Sequence, residues 1–358
     1  MEEQLRDDPL FSPVRLGAIE CANRIVMAPM TRSRAADDLP HDLHMRYYGE
    51  RAAAGLIITE GVQPSVHGKG YPRTPGLHND AQVEAWRAVT DRVHAAGGRI
   101  AVQLMHVGRI ASSYNKAPGA RTVAPSTLRA NVKMYTDATG MQDCDPPEAL
   151  TLQGIRDTIK EYSDSARLAR AAGFDGVELH VTSGYLPMQF LSTNVNTRTD
   201  AYGGSPVGRA RFVVETMEAL CAAIGADRVG MRICPGNPFN DVEDADPAVT
   251  YSTLLDALRP LGYAWLHVIR SPVAGLDAFS LARQHYDGTL ILNDGFDSAS
   301  ARAALRANVG DAVSFARHFI ANPDLVRRIR DDLPLASFDR RTLYTAGAAG
   351  YTDYPSLG

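Results

Sequence analysis

The chain has little that would staple it, anchor it or carry a metal. Its four cysteines, Cys21, Cys144, Cys221 and Cys234, form no C-x-x-C pair and lack zinc or iron–sulfur spacing, so no metal is expected. Isolated reduced thiols in a cytoplasmic protein are the expectation instead. Lysine is scarce: Lys69, Lys116, Lys133 and Lys160 are the only ones among 37 basic residues. No basic block stands out and the formal net charge is −4, so a nucleic-acid partner is not expected. No apolar run reaches the roughly eighteen residues of a membrane span. The opening MEEQLRDDPLF is acidic and lacks the apolar stretch of a secretory signal. A short internal repeat is missing, which argues against a solenoid. So is a G-x-G-x-x-G after the first apolar run, the fingerprint of a doubly wound dinucleotide fold.

What is there is an alternation. Short runs rich in Val and Ile, at 24–30, 56–61, 99–106, 176–181, 229–235, 265–270, 289–294 and 312–317, read as strands. Between them, helical periodicity covers 39–55, 81–96, 151–172, 207–224, 247–261, 278–286 and 298–308, with a last helix at 322–332. Short strands alternating with helices imply parallel βαβ units. Eight pairs in 358 residues suit a closed (β/α)8 TIM barrel, an α/β fold, better than an open sheet. A single unit over residues 1–358 is expected. The rhythm breaks at 107–150, a long polar stretch carrying Pro118, Pro125, Pro146 and Pro147. A loop of that length in a compact barrel is usually functional, and it is read as a lid over the strand ends.

In such a barrel the chemistry sits where strands run out into loops. The fourth strand, in GVELHVTSGYL, ends at His180, with Tyr185 five positions on. The first ends in Ala28-Pro29-Met30-Thr31, the second in Gly61; the third carries Gln103 and the fifth Arg232. The seventh runs into Asn293-Asp294-Gly295 and the eighth into Ala316-Arg317.

These strand ends sit in longer motifs: NRIVMAPMTRSRA, GKGYPRTPGLH, VAPS, HVTSGYL with QFLS and RTDAYGG, FARHFIANPDL and GYTDYP. In this order, from Asn23 to Pro355, they resemble the old yellow enzyme family of FMN-dependent ene-reductases. The resemblance implies an FMN whose phosphate lies at Gly295, Ala316 and Arg317, in the loops that usually bind phosphate in this fold. It implies Gln103 on the pyrimidine edge, Arg232 near N1 and O2, and Thr31 near O4, with Ala28, Pro29, Met30 and Gly61 around the ring. A fixed positive charge at Arg232 would stabilise the anionic reduced flavin. The reaction implied passes hydride from NADPH or NADH to flavin N5, then to the β-carbon of an activated alkene (enone, enal, maleimide or nitroalkene). His180 would bind the substrate oxygen and Tyr185 would deliver the proton. Tyr71, Met105, Ser183 and Tyr344 would line the substrate pocket. A small-molecule alkene or nitro compound is the expected partner, and the protein is expected to be a monomer or homodimer.

The chain departs from the family pattern at three places. Ala316 replaces a glycine, which leaves the backbone amide intact. Ser183 stands where the family has asparagine or histidine, and a serine hydroxyl is shorter. Met105 stands where many relatives have tryptophan, and methionine fills a pocket less rigidly. Thr31, rather than cysteine, matches the family's larger subgroup; the iron–sulfur relatives need a cysteine cluster that is missing. A dedicated biosynthetic flavoenzyme of the same fold is the alternative. A non-catalytic FMN sensor and a flavin-free barrel enzyme acting on sugar phosphates are the more distant ones.

Overall fold

The structure is a computed structural model and describes residues 8–357. The acidic opening up to Asp7, read above as no secretory signal, lies outside the described residues. Eight parallel strands close a barrel in chain order: β1 (Ile25–Met27), β2 (Leu56–Val62), β3 (Ile100–Leu104), β4 (Gly176–Val181), β5 (Val229–Ile233), β6 (Trp265–Ile269), β7 (Thr289–Asn293) and β8 (Ala312–Phe315). β8 pairs with β1, and β3 with β4, so no edge is left open.

The helices that return the chain start where their caps dictate. Asn79 caps α2 (Asp80–Ala95), Thr151 caps α3 (Leu152–Ala171) and Ser205 caps α4 (Pro206–Ile224). Asp246, Asp277 and Asp297 cap α5 (Pro247–Leu258), α6 (Ala278–His285) and α7 (Ser298–Arg306). α8 (Leu325–Arg330) closes the set. The helix expected over 39–55 is shorter. α1 covers Asp42–Gly49, because Pro40 keeps residue 39 extended and the His41 ring caps the first turn by accepting from the Leu43 amide. No described helix is long and apolar enough to cross a membrane.

Alternate residues of each strand face the barrel interior. At the N-terminal end these are apolar: Val26, Leu56, Ile58, Ala101, Trp265, Ile291 and Ala312 form one cluster. An unforeseen hairpin, Val14–Leu16 with Ile19–Cys21, packs Leu16 and Ile19 against it. At the C-terminal end the interior positions turn polar: Gln103, His180, Arg232, His267, Asn293 and Ser314, all buried. A register shift in β2 between Ile58 and Gly61 changes which residue faces in. Strict alternation from Leu56 and Ile58 would turn Glu60 into the barrel. The shift presents Gly61 to the cavity and leaves Glu60 against Tyr48 of α1.

The lid stretch 107–150 is built rather than irregular. Lys133–Thr136 pairs antiparallel with Gly140–Asp143, and Val123–Ala124 pairs with Glu148–Ala149. The loop expected after β4 contains a short buried helix, Leu186–Leu191.

Candidate functional site

Thr31, Gly61, Gln103, His180 and Arg232 face one cavity of about 420 Å³ at the C-terminal end of the barrel. Pro29 and Met30 line it as well. Tyr71, Met105, Ser183, Tyr185 and Tyr344 form its outer part. Ala28 does not reach it. Its side chain is buried elsewhere and its amide donates to the Phe315 carbonyl at 3.0 Å, holding β1 to β8. Gly295, Ala316 and Arg317 are outside the cavity wall too, at the ends of the paired strands β7 and β8. They stand open: Gly295 and Arg317 are exposed and Ala316 half-buried. Asp294 and Gly295 both take positive φ, 78° and 75°, and a side chain at 295 would meet only Arg270. An open loop of this kind, beside a helix start at Arg317, suits an anionic group.

His180 is buried and its pKa is lowered to about 3, chiefly by burial and then by the Arg232 charge. It is therefore neutral. The Thr182 amide donates to its Nδ1 at 3.3 Å, so the ring proton sits on Nε2. His180 is a neutral donor whose protonation does not change over the physiological range. Tyr185 lies beside it, ring centroids 5.0 Å apart. Burial, then Tyr71, pushes its phenol well above the usual value, so it keeps its proton. The Tyr185 hydroxyl donates to the Tyr71 hydroxyl at 2.9 Å. The sequence places Tyr71 only as a pocket aromatic, and its spacing carries no sign of this pair.

Arg232 is buried, and its Nη2 donates to Asn293 Oδ1 at 2.7 Å. Its Nε has no partner among the described residues. A buried guanidinium with an unspent donor beside a cavity is costly unless a ligand meets it. Gln103 donates through Nε2 to Glu178 at 2.9 Å.

Ser183 takes φ of +56° and Gly184 +70°. This left-handed pair turns the chain from β4 towards Tyr185. The turn is held by Asn240, whose Nδ2 donates to the Ser183 carbonyl at 2.8 Å. Met105 is buried with Val107, Ile110 and Tyr185. It occupies the space over Gly61, where an added Cβ would fall 2.5 Å from its sulfur.

The mouth was poorly legible in the sequence. Tyr135 and Met141 of the lid hairpin, Lys133 beside them, and Phe239 after β5 all line it. Arg73 ties its parts together. It donates to the Ser33 carbonyl at 2.9 Å and the Tyr344 carbonyl at 2.9 Å, and pairs with Asp137 in the hairpin turn. Arg34 holds the C-terminal segment through the carbonyls of Thr342, Leu343 and Ala349 at 2.7, 2.6 and 2.8 Å. These contacts fix Tyr344 at the rim although it is 61% exposed.

Comparison with known proteins bears on the family and the fold. Residues 9–336 match the NADH:flavin oxidoreductase / NADH oxidase family. The chain is 40% identical to a Leishmania infantum protein named "Probable flavin mononucleotide-dependent alkene reductase", over 98% of both chains. A structure of morphinone reductase in complex with tetrahydroNAD superposes with a TM-score of 0.94 at 41% identity, covering 98% of each chain. The old yellow enzyme homologue from Zymomonas mobilis superposes with a TM-score of 0.94 at 38% identity, covering 97% of this chain and 99% of that one. Coverage and identity of this order place the chain in a family: it belongs to the NADH:flavin oxidoreductase / NADH oxidase family, the old yellow enzymes.

Proposed function

We propose that the protein is an FMN-dependent, NAD(P)H-consuming reductase of activated alkenes, with the cavity as its active site. The observation that carries this is a neutral His180 donor and a protonated Tyr185 facing the cavity that Arg232, Gln103 and Thr31 line from below. The residues fit a flavin: Arg232 has an unspent donor, Gln103 offers donor and acceptor, and Gly295 leaves room for a phosphate. Arg232, Gln103 and Thr31 would hold the ring, Pro29, Met30 and Gly61 would flank it, and Arg317 with the amides near Gly295 and Ala316 would meet the phosphate.

FMN bound there supplies the two-electron carrier between the nicotinamide and the alkene. The remaining work falls to the chain's own side chains. His180 Nε2–H donates to the carbonyl or nitro oxygen of the substrate, where negative charge develops as the β-carbon is reduced. Because His180 is neutral, it polarises that oxygen without giving its proton away. With substrate bound, the Tyr185 hydroxyl turns from Tyr71 and gives its proton to the α-carbon, and the Tyr71 hydroxyl then donates to the oxygen left behind. Tyr71, Met105 and Tyr344 exclude water and set the shape of the substrate.

Ser183 favours keeping a second reading, a dedicated enzyme for one particular intermediate, because its hydroxyl cannot place a donor where a longer side chain would. The test is the visible spectrum of the purified protein. A flavin spectrum bleached by anaerobic NADPH and restored by 2-cyclohexenone, with cyclohexanone formed, is expected. A colourless protein, or a bound flavin that neither NADPH nor NADH reduces, overturns the proposal. Turnover of only one member of a panel of small enones would favour the dedicated enzyme.

A further inference from the structure

The upper interior of the barrel holds polar side chains that no step above uses. Glu178 lies in the middle of β4, a strand buried at every residue. Its carboxylate accepts from three donors: Gln103 Nε2 at 2.9 Å, Trp265 Nε1 at 2.9 Å and His267 Nδ1 at 3.0 Å. His267 Nε2 lies 2.8 Å from Ser314 Oγ, which Asn293 Nδ2 also reaches at 2.8 Å. Asn293 Oδ1 accepts from Arg232 Nη2 at 2.7 Å. One buried chain of hydrogen bonds thus runs across the barrel between Gln103 and Arg232, the two cavity-lining groups assigned to the flavin ring. Gly230 makes room for it: a Cβ there would fall 1.9 Å from the Trp265 indole.

Two consequences follow from the chemistry of the carboxylate. Burial opposes its ionisation, but His267, Arg232 and Trp265 outweigh that and hold its pKa below the usual range. An ionised carboxylate only accepts, so Gln103 must turn its NH2 group towards Glu178. The Gln103 Oε1 is left for the cavity, and it has no partner among the described residues. Glu178 is also the strongest of the negative groups that act on Arg232.

We propose that Glu178 is a positioning residue of the flavin pocket. It fixes the Gln103 amide with Oε1 turned to the cavity, as acceptor for the imide N3–H of the ring, and its charge offsets Arg232 and so sets the flavin potential. This rests on the flavin reading of the cavity. His267, Ser314 and Asn293 relay the same constraint to Arg232 by fixing which end of the Asn293 amide accepts.

The test compares wild type with Glu178→Gln and Glu178→Asp, each loaded with [15N]FMN. Two quantities are read: the two-electron potential and the 15N resonance of N3. Glu178→Gln removes the strongest negative charge that acts on Arg232. Reduced FMN should then gain about tenfold in affinity over oxidised FMN, an upward shift of about 30 mV. Glu178→Asp keeps the charge but withdraws it from Gln103 by one methylene. Its potential should stay near wild type while the N3 resonance moves upfield, as the imide loses its acceptor. A role in stability alone would lower the melting temperature and move neither reading. An unchanged potential in Glu178→Gln overturns the charge role, and an unmoved N3 resonance in Glu178→Asp overturns the orienting role. Should Glu178→Gln not fold, Glu178→Asp decides the orienting role, and Glu178→Ala, equally uncharged, decides the charge role by the same potential measurement. A wild type that binds no FMN overturns the flavin reading together with this one, whereas a yellow wild type with both variants unmoved overturns only the role of Glu178.

Discussion

Replacing Tyr185 with phenylalanine isolates the proton-delivery step. The substitution removes one hydroxyl and leaves a ring of the same shape packed against His180 and Tyr71. A positioned general acid contributes about 10²- to 10⁴-fold. The geometry sets the expectation at the lower end for the single variant. The Tyr71 hydroxyl sits 2.9 Å from the one removed, so a second phenol stays close, and a water entering the vacated space could carry its proton. Tyr185→Phe should slow reoxidation of the reduced protein by 2-cyclohexenone about 10²-fold, some 2.7 kcal/mol of barrier. The double variant Tyr71→Phe/Tyr185→Phe loses both phenols and should fall about 10⁴-fold, near 5.4 kcal/mol. The assay is anaerobic stopped-flow mixing of the pre-reduced protein with the enone, following the return of flavin absorbance. Reduction by NADPH should keep its wild-type rate in both variants, since that step needs no proton from Tyr185. Wild-type reoxidation in Tyr185→Phe would refute the assignment. An equal loss in both half-reactions would show a disturbed pocket rather than a missing acid.

Ser183→Asn should be well tolerated, because asparagine accepts the left-handed backbone at φ +56° more readily than serine. It should also tighten binding of a para-substituted phenol about tenfold by adding a donor beside His180, read from the long-wavelength charge-transfer band; equal affinity in both proteins would sink this. Met105→Trp places an indole over Gly61 and against Tyr185. It should narrow the accepted alkene size and change product stereochemistry, checked by chiral chromatography; an unchanged substrate range and product would count against a pocket role for Met105. Stability should fall in acid. Burial lowers the pKa of His44 and His180 to about 3 and holds His106 and His267 below the ordinary value too. The folded state therefore binds fewer protons than the unfolded one below about pH 6.5, and His44 and His180 each remove about 2 kcal/mol by pH 5. Glu60, raised to about 7 by burial, acts in the opposite sense, since its folded state holds the proton more tightly as pH falls through 7. His44 and His180 together outweigh Glu60, and the melting temperature of the FMN-loaded protein should drop between pH 7.5 and pH 5; a flat profile would contradict neutral burial of these rings.

The barrel was legible because its strands are short apolar runs between capped helices, a pattern local enough to read residue by residue. β4 begins and ends where the sequence placed it. His180, Arg232 and Gln103 could be picked out because a polar group at the end of a buried strand has few ways to be satisfied. The lid hairpin was not legible, since Lys133–Thr136 and Gly140–Asp143 alternate over a half-solvated surface too small to leave an apolar signature. The register shift that turns Gly61 to the cavity and Glu60 away from it has no local signal either, because it depends on how β2 meets β3.

By itself the sequence determined the order of strands and helices, the polar residues at the strand ends and the resemblance that gives them a chemistry. Tertiary structure alone decided the hydroxyl pair of Tyr185 and Tyr71 and the buried path from Gln103 through Glu178 to Arg232. The reason is distance along the chain. Tyr71 and Tyr185 are 114 positions apart and Glu178 and His267 are 89. Only closure of the barrel brings such groups within hydrogen-bond reach and removes the water that would otherwise satisfy them.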